Sequence, residues 1–164
     1  MNKFLTIIGI FGSLTVAQAQ SYEVELDPFQ EVPPHNTPGY GSADFTLSGT
    51  MLSVNAGTGS YADLLAGAST VRLQDAAVGA NGPTVFTLTL DTPGNTSGTF
   101  EGSGTLTAGQ ITDLQNGNLY VNITDPVYPS GEIRGQLEEV PEPSTLALIG
   151  AGSLALLARR RGKV

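Results

Sequence analysis

The chain contains no cysteine and no tryptophan among its 164 residues. Without thiols it forms no disulfide, and both thiolate nucleophiles and cysteine-ligated zinc are excluded. Histidine occurs once, at His35, in a proline-rich stretch where a lone imidazole is more often solvated than a ligand. The sequence also has no Gly-x-Ser-x-Gly elbow, phosphate loop or dinucleotide fingerprint. We therefore expect neither enzymatic activity nor a bound cofactor or metal.

Positive charge is scarce between the two ends of the chain. Five of the seven Lys and Arg lie in the terminal segments, so residues 20–139 hold fourteen Asp and Glu against Arg72 and Arg134, a formal charge of −12. Such a surface repels phosphate backbones and anionic lipid headgroups. Nucleic-acid binding is therefore excluded.

The N-terminal segment 1–19 has the pattern of a cleavable signal peptide. Lys3 precedes a short apolar run, and the small residues Ala17 and Ala19 form an A-x-A cleavage signal. We expect signal peptidase to leave Gln20 as the first residue of the mature chain. A retained anchor is the alternative, which the short apolar run disfavours.

The C-terminal segment 140–164 combines three elements in a fixed order. Pro141-Glu142-Pro143 comes first, an apolar segment over 146–158 follows, and Arg159-Arg160-Arg161 closes it. Thirteen residues form a helix of only about 20 Å, so this predicts a marginal transmembrane helix that lodges in the membrane transiently. The arginines should stay cytoplasmic and hold the preceding domain outside until the chain is cut. An ordinary single-span anchor is the alternative.

Residues 20–139 alternate between apolar and polar side chains at period two, which predicts strands with one buried face. Turn residues such as Asn81-Gly82-Pro83 and Asp91-Thr92-Pro93-Gly94 separate about eight such runs, a spacing typical of an antiparallel sandwich or a closed sheet. The predicted inward rows are Tyr22, Val24 and Leu26; Ala43, Phe45 and Leu47; Leu52 and Val54; Val71 and Leu73; Phe86, Leu88 and Leu90; Phe100 and Leu106; Leu119, Val121 and Ile123; and Ile133 and Leu137.

One short helix interrupts the strands. Thr107 is the predicted N-cap, Gln110 completes a capping box, Ile111 and Leu114 face inward, and Gly117 ends the helix. The sequence therefore predicts an all-β domain with a single helix.

Two charged groups of the domain invite a functional interpretation. Glu23, Glu25 and Asp27 alternate onto one strand face, which would suit paired-carboxylate chemistry or calcium, although outward carboxylates on an edge strand also discourage aggregation. Arg134 is expected to pair with a carboxylate of the acidic sheet and to orient the last strand.

Four stretches resemble the CHRD domain, first described in chordin. They are the segments 26–34 (LDPFQEVPP), 79–83 (GANGP), 106–123 from Leu-Thr to the LYVNI strand, and 128–136 (YPSGEIRGQ). The resemblance implies a Greek-key-like β-sandwich, related to the copper/zinc superoxide dismutases, with no established activity. Family members often carry three histidines at positions that hold Arg72, Gln74 and Thr124 here. Arginine stays protonated and donates no lone pair, so a dismutase-like metal site is not expected.

The tail resembles the PEP-CTERM sorting signal of Gram-negative bacteria. The resemblance implies removal of the tail by an exosortase, a membrane-embedded cysteine protease, in organisms that make extracellular polysaccharide. We therefore interpret the chain as an exosortase substrate, exported and non-enzymatic, which is secreted or displayed on the surface and is structural or binds an extracellular polysaccharide matrix. The alternatives are calcium-assisted glycan binding and, with less support, a superoxide-dismutase-like metal enzyme.

Overall fold

The computed structural model of the chain describes residues 19–141. This part contains eleven strands, one α-helix and a short 3-10 helix over Pro28–Gln30. The strands are β1 (Gln20–Leu26), β2 (Tyr40–Ser48), β3 (Met51–Val54), β4 (Ser60–Ala62), β5 (Thr70–Asp75), β6 (Thr84–Leu90), β7 (Gly98–Glu101), β8 (Ser103–Thr105), β9 (Leu119–Thr124), β10 (Ile133–Gln136) and β11 (Glu138–Glu139), and helix α1 is Ala108–Gln115. The predicted signal peptide, apart from its last residue, and the predicted C-terminal hydrophobic helix lie outside the described residues.

The strands form two antiparallel layers that are joined at both edges. One layer has the order β10-β9-β5-β6, and the other continues through β7-β4-β2-β1-β11, with β3 added beside β2 and β8 beside β3. At one edge β6 pairs with β7. At the other edge, the backbone of Asp27 after β1 exchanges hydrogen bonds of 3.1 and 3.2 Å with that of Arg134 in β10. The predicted all-β antiparallel sandwich with one short helix is thereby confirmed.

The core between the layers consists mainly of the residues that the alternation predicts to face inward, and Tyr61, Leu64 and Ala68 join it from outside the predicted rows. Phe45, Leu52, Val121 and Ile123 have no exposed surface, and they belong to one continuous apolar cluster. Three residues of the predicted rows, Val54, Phe86 and Leu90, are only partly buried and pack against the margin of this cluster. The core therefore stabilises the fold through burial of apolar surface, as alternating strands require.

The number of strands exceeds the predicted eight because three features escape a period-two pattern. Strands β4 and β11 have three and two residues, too few to show an alternation. The sixth predicted run is divided at Gly102, whose φ of +144° interrupts the regular strand between β7 and β8. The extra elements are short additions to the predicted architecture.

Helix α1 begins and ends as the capping residues predict. The Thr107 hydroxyl accepts a hydrogen bond from the backbone of Gln110, whose side chain in turn accepts one from the Thr107 N–H. Leu114 is buried, and Gly117 follows the helix with φ +72°, a conformation that favours glycine. Within residues 19–141, no helix has the length and apolar content needed to cross a membrane.

Candidate functional site

A second buried layer lies on the outer face of β5, β9 and β10, and it is polar. Alternation assigns Tyr120, Asn122 and Thr124 of β9 to the solvent-facing side, yet they are 0%, 3% and 4% exposed. Three loops cover this face, formed by residues 27–39, 76–83 and 125–132. We call these buried side chains and the covering loops the polar layer.

Arg134 is the largest fully buried side chain of the domain and the centre of the polar layer. Its guanidinium carbon lies 3.6 Å from the centroid of the Tyr120 ring, a cation–π contact. The guanidinium donates hydrogen bonds to Ala80 O at 2.9 Å, Asn81 Oδ1 at 3.2 Å and Gln136 Oε1 at 2.9 Å. All three acceptors are uncharged, so the hydrogen bonds of Arg134 do not pair it with a carboxylate of the sheet as expected, and its charge acts on the Glu31 carboxyl of the 27–39 loop. Arg134 instead fastens the 76–83 loop to β10.

The covering loops are also bonded to one another and to β9. Asn81 Nδ2 donates to Val32 O at 3.0 Å, which joins the 76–83 and 27–39 loops. The backbone N–H of Gly82 donates to the Tyr120 hydroxyl at 3.0 Å. On the third loop, the Tyr128 ring lies 4.2 Å from the ring of His35. The single histidine therefore packs against a neighbouring loop rather than standing free in solvent.

Glu31 is a carboxyl buried within the polar layer. It is 3% exposed, and desolvation raises its pKa to about 7 although the Arg134 guanidinium and the Val32 N–H act in the opposite direction. Its Oε1 atom has no hydrogen-bond partner among the described residues, and the same is true of Asn122 Oδ1. Such buried unpaired acceptors are uncommon and call for a physical explanation.

An open cavity of about 410 Å³ borders Glu31 and Arg134. Its rim is apolar, with the Phe29 side chain 67% and the Val78 side chain 79% exposed. The cavity is lined by Phe29, Gln30, Glu31, Val32, Pro34, Val78, Gly79, Arg134 and Gln136. Its size and its combination of apolar walls with a few polar groups are typical of small-ligand sites.

A pair of buried carboxyl groups holds the opposite end of the polar layer. Glu132 accepts hydrogen bonds from the Leu65 N–H at 3.0 and 3.1 Å, and Asp125 accepts one from the Ala66 N–H at 2.9 Å. Burial raises the pKa of Glu132, and the neighbouring Asp125 carboxyl raises it further. The pair therefore clamps the loop after β4 to the end of β9.

The structure brings the three positions that hold histidines in many family members onto one face. Arg72 pairs with Asn122 across β5 and β9, and Gln74 occupies the same face two residues further along β5. Thr124 lies on that face of β9, where its hydroxyl contacts the Thr70 hydroxyl at 2.8 Å. The predicted juxtaposition is present, and its side chains are a guanidinium, an amide and a hydroxyl.

The three acidic residues of the first strand do not form the predicted set. Glu23 and Glu25 point outward, but the Asp27 carboxylate caps the 3-10 helix by accepting from the N–H groups of Phe29 and Gln30. Glu23 does not protect a sheet edge, because β11 pairs with β1 at Tyr22 and Glu23. Within residues 19–141, no group of three or more His, Cys, Asp or Glu side chains is arranged to hold a metal ion.

The predicted processing positions meet at one end of β1. Ala19 precedes the strand, and Gln20 begins it. On the other side, the N–H of Val140 donates to Ser21 O at 2.9 Å, so Pro141 follows directly after the last bond to the sheet. The remaining predicted processing residues, Ala17, Glu142, Pro143 and Arg159-Arg160-Arg161, lie outside the described residues.

These features define a class of protein, namely a small all-β domain with a polar layer and a cavity on its outer face. The chain belongs to the CHRD domain family, whose sequence model matches residues 22–137. Residues 139–161 match the PEP-CTERM protein-sorting motif, which implies export to the cell surface through an exosortase-type sorting system. No curated protein and no solved structure matches the chain.

Sequence reasoning singled out Arg134 but missed Glu31, Asn122, Asp125 and Glu132. The stretches that carry the family resemblance include Glu31, Asn122 and Glu132, and this was the available signal. Their burial could not be inferred, because a carboxyl or amide in a loop or on an outer strand face is usually exposed.

Proposed function

We propose that this chain is a non-enzymatic, exported module that binds a component of an extracellular polysaccharide matrix in the cavity beside Glu31 and Arg134. The observation that carries the proposal is the cavity itself, whose lining combines the exposed apolar side chains of Phe29 and Val78 with polar residues such as Gln30 and Gln136. Three of the four segments that resemble the CHRD family line it, the regions around 29–34, 79 and 134–136.

The chemistry of the cavity suits a sugar ring. A pyranose has an apolar face of C–H groups that packs on an aromatic or aliphatic side chain, and hydroxyls that need donors and acceptors. Phe29 and Val78 supply the first kind of contact, and the half-buried side-chain amides of Gln30 and Gln136 supply the second. The formal charge of −12 over residues 20–139 disfavours acidic polysaccharides, so we expect neutral ones to bind better.

The groups that line the cavity support binding without hydrolysis. Glycosidases of the common type place two carboxyl groups on either side of the scissile bond. Glu31 is the one carboxyl among the residues lining this cavity. A general acid without a second carboxylate lacks the nucleophile or base that the reaction needs.

The sorting motif gives the proposal its location. We propose that the 146–158 segment inserts transiently in the inner membrane, and that an exosortase then removes the tail to leave the domain secreted or on the surface. Replacing Pro141-Glu142-Pro143 with alanines should leave the protein in the inner membrane of a host that has the protease. Equal release of variant and wild type, measured by cell fractionation, would show that the tripeptide is not read.

The binding site is tested by titrating the full chain, in a mild detergent, with neutral and acidic polysaccharides by calorimetry. Phe29→Ala should weaken binding of a neutral polysaccharide about tenfold, because it removes the main apolar wall. Met51→Ala is the matched control, since Met51 is 50% exposed and does not line the cavity. Equal affinity of both variants would refute the site, and release of reducing ends would refute the non-enzymatic assignment. Repeating the titration in EDTA tests the calcium-assisted alternative.

A further inference from the structure

Glu31 and Asn122 direct two unpaired oxygens into one small space. Neither Glu31 Oε1 nor Asn122 Oδ1 has a hydrogen-bond partner among the described residues, and both atoms are buried. Gly131 borders this space with φ +146°, and a Cβ there would lie less than 3.0 Å from each of the two oxygens. Two buried acceptors that border one space without a donor are both left unsatisfied, so a proton on Glu31, a water molecule or a cation has to supply the missing contact.

The Asn122 amide cannot supply the donor by turning over. Its Nδ2 atom donates to Ser130 O at 3.0 Å, and a flipped amide would place two oxygens against each other there. The orientation of Asn122 is therefore fixed, with Oδ1 presented to Glu31. The missing donor has to come from Glu31 or from a bound species.

A proton satisfies the pair better than a metal ion does. Hard cations such as calcium take six to eight oxygen ligands, whereas two side-chain oxygens converge here. The Arg134 guanidinium of β10 is the charged group that faces Glu31, and it disfavours a second cation. Strand β9 contributes the Asn122 amide, and the 125–132 loop contributes Gly131, which has no side chain. Asp27 and His35 are the other titratable residues of the 27–39 loop, in which Asp27 caps the 3-10 helix and His35 packs on Tyr128.

We propose that Glu31 is protonated and donates its hydrogen to Asn122 Oδ1, and that this bond is a latch that holds the 28–34 wall of the cavity against β9. The desolvation of Glu31, which raises its pKa to about 7, is what keeps the proton on at mildly acidic pH. Phe29, Gln30, Val32 and Pro34, which line the cavity, belong to the same loop segment as Glu31. Loss of the proton therefore loosens the wall, and the cavity is ordered only below a threshold pH.

The direct test is a pH titration of the full chain, labelled with carbon-13 at the glutamate carboxyl groups and observed by NMR. We expect two carboxyls with midpoints near 7, those of Glu31 and Glu132, and the one that is absent from the spectrum of Glu31→Gln belongs to Glu31. A Glu31 midpoint below about 5, the range of ordinary glutamates, would overturn the proposal. This measurement on the wild type requires no variant to fold and no ligand to bind.

The mobility of the loop is tested by hydrogen exchange, corrected for the intrinsic effect of pH on exchange. Protection of the peptide that covers residues 28–38 should fall on the order of tenfold in the wild type between pH 5.5 and 8.5, since the open loop holds the carboxylate more favourably. Glu31→Gln donates from its amide at every pH, so its protection should change less than twofold. Glu25→Gln removes the same charge from an exposed site and should behave as the wild type. Equal pH dependence in Glu31→Gln and the wild type would refute the latch.

The consequence for ligand binding rests on the proposed function, and its failure is distinguishable from failure of the latch. If neutral polysaccharide binds, its affinity should fall between pH 5.5 and 8.5 in the wild type and stay constant in Glu31→Gln. A pH-independent affinity together with a Glu31 midpoint near 7 would show that the loop does not control the cavity. Absence of binding at either pH would refute the proposed function and leave the NMR result unaffected.

Discussion

The domain has two buried regions that differ in the chemistry that holds them together. The inner core between the two layers is apolar, and residues such as Phe45 and Ile123 are completely removed from solvent there. The polar layer outside β9 is equally buried but is built from Arg134, Asn122 and Glu132, with specific hydrogen bonds. The inner core tolerates small shifts of its atoms, whereas the polar layer depends on each donor meeting its acceptor.

This difference shows where stability and function separate. Apolar burial is non-directional and makes the sandwich stable, but it offers nothing for a ligand to recognise. The polar layer costs desolvation energy and places charged and titratable groups beside a cavity. Substitutions in the two regions should therefore have different consequences, and these decrease in size in the order given below.

The largest loss of stability is expected from the inner core. Phe45→Ala should lower the free energy of unfolding by about 3–5 kcal/mol, because it removes a fully buried ring and leaves a cavity. Urea denaturation followed by circular dichroism measures this loss. The exposed Met51→Ala should change stability by less than about 0.5 kcal/mol. A loss below about 1 kcal/mol for Phe45→Ala would contradict the assignment of the inner core.

A smaller loss is expected when the polar layer is broken at its centre. Arg134→Met keeps much of the side-chain volume but leaves Ala80 O, Asn81 Oδ1 and Gln136 Oε1 without their donor. We expect a loss of about 3 kcal/mol together with loosening of the 76–83 loop. Arg72→Met loses the same charge from a half-buried position of β5 and should cost less than about 1 kcal/mol. Equal losses for the two variants, in the same urea experiment, would mean that the Arg134 hydrogen bonds do not contribute.

The polar layer should also make stability depend on pH, in a direction opposite to that of a salt-bridged acid. The folded-state pKa values of Glu31 and Glu132 are raised, so the folded state binds more protons than the unfolded state above about pH 4.5. The stability that these two protonated carboxyl groups contribute is fully present below about pH 4.5, the pKa of a glutamate in the unfolded chain, and is lost as the pH rises through about 7. Between pH 5 and 8 we expect a decrease of about 2 kcal/mol.

Thermal melts across this pH range measure the effect, and two variants assign it. Glu132→Gln resembles the protonated form, because its oxygen accepts from the Leu65 N–H while its amide donates to Asp125. It should therefore reduce the pH dependence, and the double variant with Glu31→Gln should remove most of it. The exposed Glu23→Gln should leave it intact. A wild-type domain that gains stability from pH 5 to 8 would contradict both pKa directions.

The smallest effect comes from a region that belongs to neither buried layer. Thr107→Ala removes the N-cap hydroxyl of α1 and should cost about 1 kcal/mol. Thr112→Ala is the matched control, since the Thr112 hydroxyl bonds only within the helix, to Ala108 O at 3.1 Å. If the two variants lose equal stability, the capping box has no special contribution. The difference in stability between these two variants gives a reference value for one local hydrogen bond, against which the larger losses in the two buried layers can be compared.

The inner core could be predicted from the sequence and the polar layer could not, for a physical reason. The side chains of a strand alternate locally, so Leu119, Val121 and Ile123 indicate an inner face without knowledge of any other segment. Whether the opposite face of the strand is exposed to solvent depends on loops that are distant in sequence. Asn122 is buried because the loop around Glu31 covers it, and no local pattern contains that information.

The same reasoning explains the mixed result for the candidate site. Arg134 stood out because the domain has only two cations, but its neutral partners could not be inferred from composition. The histidine-equivalent positions were brought together as predicted, since register on neighbouring strands follows from alternation. The capping box of α1 was predictable because all its parts lie within four residues. Features that are local in sequence were predictable, and those that depend on loop packing were not.

The point at which the chain leaves the sheet beside β1 determines how the domain would be oriented while its C-terminal tail is in the membrane. Arg134 is bridged to Asp27 and Val140 is bonded to Ser21, so the chain leaves the sheet about six residues, or roughly 20 Å, from the cavity end of β1. Only five residues, 141–145, separate that exit from the apolar segment, and five residues span at most about 18 Å. If the apolar segment inserts in the membrane as proposed, this short connection would hold the opposite end of the domain away from the membrane. The cavity would therefore face the cell exterior, where it could engage polysaccharide before the tail is cut.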